Sequence, residues 1–331
     1  MKTKIICTLG PSSFSPKILN QLKSRNVDIF RINLSHTPKN DILNKINYLK
    51  KNKVKNICID TEGAQVRNTK VKKKIFLKKN KIIKIFNNNK LCDSTSISLY
   101  PPFDLAKCKI NTKIHIGFNN LILRVIKKNK EKKFLTTRVI APGILDSNKG
   151  VHFNQEINLN ALTEKDIYAL KIAIKKNIKF FAVSFVNNSN DLNLVRSIVG
   201  DKPFLISKIE TKMAIKNLKK ISLKSNALLI DRGDLSRYVP IEEIPIMQEK
   251  IINHGKRSKT PVYVATNLLE TMIKESQPTR AESHDIYSTL KEGASGLVLA
   301  AETAIGANPI KCVEFLNKSI KIYKKFLKKR Y

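Results

Sequence analysis

Eight short apolar runs, each followed by a longer segment of helical period or by its remnant, recur along this chain, and that alternation constrains the fold more than any other feature. The runs are TKIICTL (3–9), DIFRINL (28–34), KNICID (55–60), FFAVSF (180–185), PFLISKI (203–209), NALLID (226–231), PVYVAT (261–266) and GLVLAAE (296–302). Rich in Ile and Val and nearly continuous in apolar character, they read as strands buried on both faces, the signature of a parallel sheet. Segments such as SPKILNQLKSRN, TEKDIYALKIAIKKN and AESHDIYSTLKEG carry the helical period, and the last ends in the Gly expected just past a helix C-terminus. Eight β/α units in series close most simply into a barrel, which needs roughly 250 residues. The chain has 331. The surplus falls at 69–150, where alternation stops and short β-like runs (KIIKIF, KIHIGF, LILRVI, FLTTRVI) are separated by Asn- and Lys-rich turns. The expectation is an α/β chain: a (β/α)8 TIM barrel formed by 1–68 and 151–331, with a small all-β domain inserted at 69–150.

In such a barrel chemistry sits at the carboxyl ends of the strands. Polar residues collect there. The first strand ends at Thr8, Gly10 and Pro11; the second runs R-I-N-L-S-H, where alternation would put Arg31, Asn33 and Ser35 on one face. Asp60 and Thr61 end the third, Ser184 the fourth, Thr266 the seventh, and Glu302 and Thr303 the eighth. The sixth runs into R-G-D, supplying Asp234, and the fifth, FLISKIETK, delivers Lys208 and Glu210 two residues apart and therefore on one face. Taken singly, Lys-x-Glu is a surface ion pair, Asn33 and Ser35 are turn residues and Asp60-Thr61 is a helix cap. Agreement at eight strand ends points instead to a site. Glu210 and Asp234 suit magnesium, which takes one or two carboxylates and completes its shell with water and phosphate oxygens. Lys208 beside them could neutralise a migrating phosphoryl group or an enolate oxygen, and Arg31 supplies a forked cation for phosphate.

Lys and Arg number 63 against 26 Asp and Glu, a formal charge of +37. The basic runs (KVKKKIFLKKNK, KKNKEKK, KKFLKKR) are spread along the chain beside abundant Ile and Asn, which reads as compositional drift producing solvated faces. Such a field still attracts phosphorylated small molecules and, less specifically, RNA. With aromatic content of 7% and no basic motif interleaved with aromatics, a dedicated single-strand-binding module is disfavoured. Five cysteines with no close C-x-x-C pair suggest buried reduced thiols. The N-terminus MKTKIICTLGPSS lacks a signal-type apolar stretch and no run of about 18 apolar residues occurs, so a cytoplasmic location without membrane contact is expected.

The stretches TKIICTLGPSS, FRINLSH, IDTEGAQVR, SNKGV, SFVNNSNDL, ISKIET, DRGDL, VATNLLETMI, PTRAESHD and AAETAIG, in that order, make the chain resemble the pyruvate kinase family. The resemblance implies transfer of the phosphoryl group of phosphoenolpyruvate to ADP, then protonation of enolpyruvate, on a (β/α)8 barrel with a β-rich lid. It implies that Arg31 contacts the transferring phosphate, that Lys208 stabilises the transition state and that Thr266 lies beside the substrate methylene carbon. Gly233 and Asp234 would position the substrate carboxylate. Glu210 and Asp234 match magnesium ligands, and Asn33, Ser35, Asp60 and Thr61 potassium ligands. Asn33, His36, Arg67 and Lys149 match the nucleotide side.

Departures accompany the match. DTEGAQ places Glu62, Ala64 and Gln65 where the family has Lys, Pro and Glu, which bears on potassium dependence, and GFNN places Phe118, Asn119 and Asn120 where the lid has an acidic pair and glycine. Asn267 replaces a Gln, and Ala300-Ala301 a Ser-Gly. Ending at Tyr331, the chain is expected to lack the family's C-terminal regulatory domain and its effector control, with a homo-oligomer still possible through barrel contacts near PTRAESHD. Two other readings compete: a non-catalytic basic barrel that binds RNA, and a magnesium-dependent lyase or aldolase on a related barrel.

Overall fold

The computed structural model describes residues 2–330 except Ala64, Phe118, Asn119, Asn120, Lys130, Lys132, Glu156 and Asn158. The altered lid residues Phe118, Asn119 and Asn120, and Ala64 of DTEGAQ, thus lie outside the described residues. Two compact units are present, one comprising residues up to Gly63 together with Ala161 onward, the other Ala64–Asn160. These boundaries lie about five and ten residues outside the 69 and 150 expected from the change in pattern. The reason is strand pairing: Arg67–Asn68 joins Ser96–Tyr100, and Val151–Phe153 joins Lys113–Ile116, so both flanks belong to the inserted sheet.

The first unit is a closed parallel barrel. Its strands are β1 (Lys4–Thr8), β2 (Ile29–Asn33), β3 (Ile57–Asp60), β4 (Phe180–Val183), β5 (Phe204–Ile209), β6 (Ala227–Asp231), β7 (Val262–Ala265) and β8 (Gly296–Leu299). Each neighbour pair is parallel, and β1 closes the ring by pairing with both β8 and β2. Helices between strands start on sequence-coded caps. Ser15 accepts from the Ile18 N–H, and reciprocal capping boxes join Thr163 to Asp166, Asn188 to Asp191 and Thr279 to Glu282.

Side chains alternate across each strand, so the ring has two faces. Outward residues such as Ile5, Ile32, Ile59, Leu205, Leu228, Val264 and Leu297 pack with helix residues such as Leu19, Ile46, Leu170, Ile251 and Leu290 in one continuous core. Burying an aliphatic side chain of this size contributes about 1.5–3 kcal/mol, and this layer holds the helices on the ring. Inward residues form a second, smaller core: Ile6, Ile29, Cys58, Ala182, Ile206, Ala227, Leu229, Tyr263, Ala265 and Val298.

The same parity that points Ile206 inward also points Lys208 inward, one layer nearer the carboxyl ends. The inner face therefore changes from apolar to charged along β5, which explains a strand that begins FLI and ends in Lys and Glu.

The second unit contains a seven-stranded sheet in the order Val151–Phe153, Lys113–Ile116, Leu121–Asn129, Phe134–Ala141, Ile82–Phe86, Ser96–Tyr100, Arg67–Asn68, and a two-stranded sheet of Gly143–Leu145 with Ile75–Leu77. One face of its strands supplies Ile83, Ile85, Ile97, Leu99, Ile114, Leu123, Leu135 and Val139 to a separate core. Among the described residues, no helix is long and apolar enough to cross a membrane, and all five cysteines are free thiols.

Candidate active site

Seven inward-facing groups meet at the carboxyl end of the barrel. From β1, Thr8 donates its hydroxyl to the Leu299 carbonyl (2.9 Å) and accepts from Arg31 Nε (2.8 Å), while Arg31 Nη1 pairs with Asp60 Oδ2 at 3.1 Å. Asp60, fully buried, is also 3.3 Å from the Ser184 hydroxyl that donates to it. Lys208 is the hub. Its ammonium donates to Ser184 Oγ (3.0 Å) and lies 2.8 Å from Glu210 Oε1, 3.5 Å from Asp231 Oδ2 and 3.6 Å from Asp60 Oδ1.

Burial by itself would favour the neutral amine, but Asp60, Glu210 and Asp231 outweigh it and hold Lys208 charged well above the usual lysine range. Glu210 shows the opposite balance. Burial first, then the neighbouring Asp234 and Asp231 carboxylates, push its acid up to about 8 despite the attraction of Lys208. Asp231 ends low although burial opposes it, because Lys208, the Thr266 hydroxyl and Arg31 favour its anion.

Three acids here share two cations, so that ionising Glu210 would leave an excess of one negative charge. Beside them Asp234, on the short helix Arg232–Leu235, lies 3.5 Å from Arg237 Nε. One oxygen from each of Glu210, Asp231 and Asp234 falls within 4.8 Å of the others, a spacing one ion can span. Hard oxygen donors set this close together fit a divalent cation such as magnesium, which would take the place of the proton held by Glu210.

Thr266, just past β7, closes the site. Its φ of 77° is uncommon for a β-branched residue and costs on the order of 1–3 kcal/mol. Neighbours on the β6 side offset this: Thr266 Oγ1 donates to Asp231 Oδ1 at 2.6 Å, and its carbonyl accepts from Arg232 Nε and Nη2 at 3.1 and 2.7 Å. Gly233 is required beside it, since a Cβ there would stand 2.9 Å from Thr266 Cγ2.

The expected strand ends need correction in two places. Ser35 does not continue the β2 alternation, because Leu34–His36 forms a 3-10 turn capped by Asn33 Oδ1, which accepts from the Ser35 N–H at 2.9 Å. β8 stops at Leu299, and Glu302 and Thr303 lie in the short helix Ala301–Ala304. There Glu302 accepts from the Ala300 and Leu269 amides and Thr303 donates to the Thr8 carbonyl, so both brace the loops.

Of the remaining expected residues, Asn33 stands opposite Asp60 in the β2–β3 register. Thr61 accepts the Ser184 amide at 2.9 Å. His36 is exposed on the turn. Arg67 and Lys149 belong to the second unit, where Arg67 Nη1 donates to the Asn148 carbonyl (3.3 Å) and Lys149 Nζ lies 3.4 Å from Asp146 Oδ2.

Two buried acids escaped the sequence reading. Asp231 follows Ala227 and Leu229 at the inward parity of β6, a signal that was available. Asp166 accepts from the Glu62, Gly63 and Thr163 amides at 2.7, 3.0 and 3.0 Å and anchors the DTEG loop; spaced 104 residues from Glu62, it left no local signal beyond its capping box.

Fold and site together define a (β/α)8 barrel with a cluster of buried acidic and basic side chains at its mouth. Residues 1–313 match the sequence model of the family described as "Pyruvate kinase, barrel domain". The pyruvate kinase of Thermotoga maritima is 32% identical over 329 residues, covering 96% of this chain and 70% of that protein. That of Methanocaldococcus jannaschii is 34% identical over 97% of this chain and 69% of its own length. For the pyruvate kinase of Dictyostelium discoideum the figures are 32%, 96% and 65%. For the plastidial pyruvate kinase 3 of Arabidopsis thaliana they are 32%, 96% and 57%. The chain thus spans somewhat over half to about two thirds of the curated relatives it matches. It belongs to the pyruvate kinase family.

Proposed function

We propose that this chain transfers the phosphoryl group of phosphoenolpyruvate to ADP and protonates the resulting enolate to pyruvate. The observation that carries the reading is the Lys208 ammonium held among Asp60, Glu210 and Asp231 beside the buried Arg31. Two fixed cations facing the barrel mouth suit a phosphoryl group that spreads negative charge as it moves, where positioning and charge neutralisation supply most of the rate.

In this reading Arg31 holds the phosphoryl oxygens and Lys208 offsets charge on the bridging and enolate oxygens as the C–O–P link breaks. Gly233 and Asp234 position the substrate carboxylate. Thr266 stands at the carbon that receives the proton. Magnesium held by Glu210 and Asp234 would supply positive charge to the phosphoryl and carboxylate oxygens. Potassium at Asn33, Ser35, Asp60 and Thr61 is the companion proposal, supported by the Asn33–Asp60 register. Asn33, His36, Arg67 and Lys149 are proposed for the nucleotide phosphates, a cytoplasmic, reducing setting for the free thiols, and a homo-oligomer through barrel contacts.

A coupled assay with phosphoenolpyruvate, ADP and magnesium, with and without potassium, tests this. Pyruvate and ATP formation that vanishes in Lys208→Met is expected; no product from the unmodified protein in either salt overturns the reading.

A further inference from the structure

We propose that Asp231 is a positioning residue for the protonation half of the reaction, acting through the hydroxyl of Thr266. This rests on the placement of Thr266 at the protonated carbon proposed above.

Ala227, Leu229 and Asp231 share the inward parity, and the first two line the barrel interior, so a carboxylate arrives at the mouth by strand geometry alone. Its two oxygens have different tasks. Oδ2 lies 3.5 Å from Lys208 Nζ, on the side of the phosphoryl chemistry; Oδ1 accepts the Thr266 hydroxyl at 2.6 Å.

An ionised carboxylate only accepts. The Thr266 proton is therefore directed at Asp231, and the oxygen lone pairs are left facing away from it, free to accept from a solvent-derived donor. When that donor's O–H bond breaks, the new C–H bond forms on the enolate carbon, and solvent returns the proton to the donor. A hydroxyl free to rotate would hold such a donor only part of the time.

Backbone geometry supports a built arrangement. Thr266 is kept at φ 77° by a clamp on both its ends, its hydroxyl by Asp231 and its carbonyl by Arg232. Arg232 is itself held by Asp285 through two contacts of 2.8 Å. Consecutive residues of one strand end thus fix a single residue of the next in a conformation it would not otherwise favour.

The test separates the two halves of the reaction. Exchange of pyruvate methyl protons into D2O, followed by proton NMR with magnesium and nucleotide present, reports protonation alone by microscopic reversibility. Steady-state turnover from phosphoenolpyruvate and ADP reports the whole. Asp231→Ala should slow exchange by about tenfold or more, while Asp231→Asn, whose amide oxygen can still accept the hydroxyl, should recover most of it. In a Thr266→Val background Asp231→Ala should add less than about threefold, the mark of two residues acting as a unit.

An equal loss with and without the Thr266 hydroxyl overturns the proposal, as does Asp231→Asn behaving like Asp231→Ala. Absence of turnover in the unmodified protein overturns the functional reading, and the proposal falls with it; normal turnover with unchanged exchange in Asp231→Ala overturns the proposal alone.

Discussion

Replacing Lys208 with Met should destabilise the metal-free protein by about 3–5 kcal/mol, the usual cost of removing one partner from buried ion pairs. The structure explains why the cost falls in that range. Lys208 is 4% exposed, with three carboxylate oxygens at 2.8, 3.5 and 3.6 Å. At an effective dielectric constant of about 20, each such contact is a gross attraction of about 5 kcal/mol. Most of that is cancelled by the cost of drying the ammonium, so the gross sum is not a stability. What remains in the variant is the uncompensated part: Asp60, Glu210 and Asp231 facing one cation, Arg31, with one positive charge fewer than before. Met keeps the length of the aliphatic stem, so the packing change is small beside this.

Glu210, already pushed up to about 8 by burial and its acidic neighbours, should hold its proton to still higher pH once the ammonium that favours its anion is gone. Magnesium should make up part of the lost positive charge. A ligand present at 100 times its Kd stabilises by about 2.7 kcal/mol, and a more negative site should bind it more tightly, so the gap between variant and unmodified protein should narrow in saturating magnesium. Urea unfolding followed by far-ultraviolet circular dichroism, with EDTA and with magnesium, measures both. A loss below about 1 kcal/mol in EDTA would show that the ammonium is not what compensates these acids, and the electrostatic account of the site would be wrong.

Three further outcomes are expected. Asp166→Ala removes the acceptor for three amides, two of them buried, and with hydrogen bonds to a charged group each contributing about 1.5–3 kcal/mol it should lower stability by at least that of one bond and raise hydrogen exchange at Glu62 and Gly63; unchanged exchange there would refute the anchoring role. Gly63→Ala puts a Cβ 2.7 Å from the Ser184 carbonyl at φ 72°, so it should lower both the melting temperature and turnover, whereas a neutral substitution would mean the loop yields freely. Finally, Glu210 holds its proton to about 8 when folded against an ordinary 4.5. The folded state then binds more protons than the unfolded chain between those values, and stability of the metal-free protein should fall as pH rises through that window. Thermal scans in EDTA from pH 5.5 to 8.5 should show this slope, and an equally steep one in Glu210→Gln would exclude Glu210 as its source.

Much of the fold was legible because its signals are local. Runs such as ICID and ALLID can be buried on both faces only in a parallel sheet covered by helices, and eight of them in series leave few ways to close. Parity along FLISKIE likewise told that Lys208 and Glu210 share a face, and in the structure Glu210 lies against Lys208 while Arg31 and Lys208 both reach Asp60. Errors arose where a strand ended sooner than its apolar text. Asn33 turns the chain at Ser35 by accepting its amide, and Ala300 is bent by Glu302 into a helical turn, both through side-chain to backbone hydrogen bonds that periodicity does not encode.

What the sequence by itself determined is therefore the set of inward and outward faces, and with it which residues could reach the barrel mouth. Tertiary structure decided which of them act on one another. Lys208 meets Asp60 and Asp231 only because β3, β5 and β6 are carried around one ring, and Asp231 meets Thr266 only because β6 and β7 are neighbours with a glycine at 233 leaving room. Charges separated by 148 or 23 residues along the chain become contacts of about 3.5 Å, and at that distance their proton affinities depend on one another, because the Coulomb interaction follows separation in space and not along the sequence.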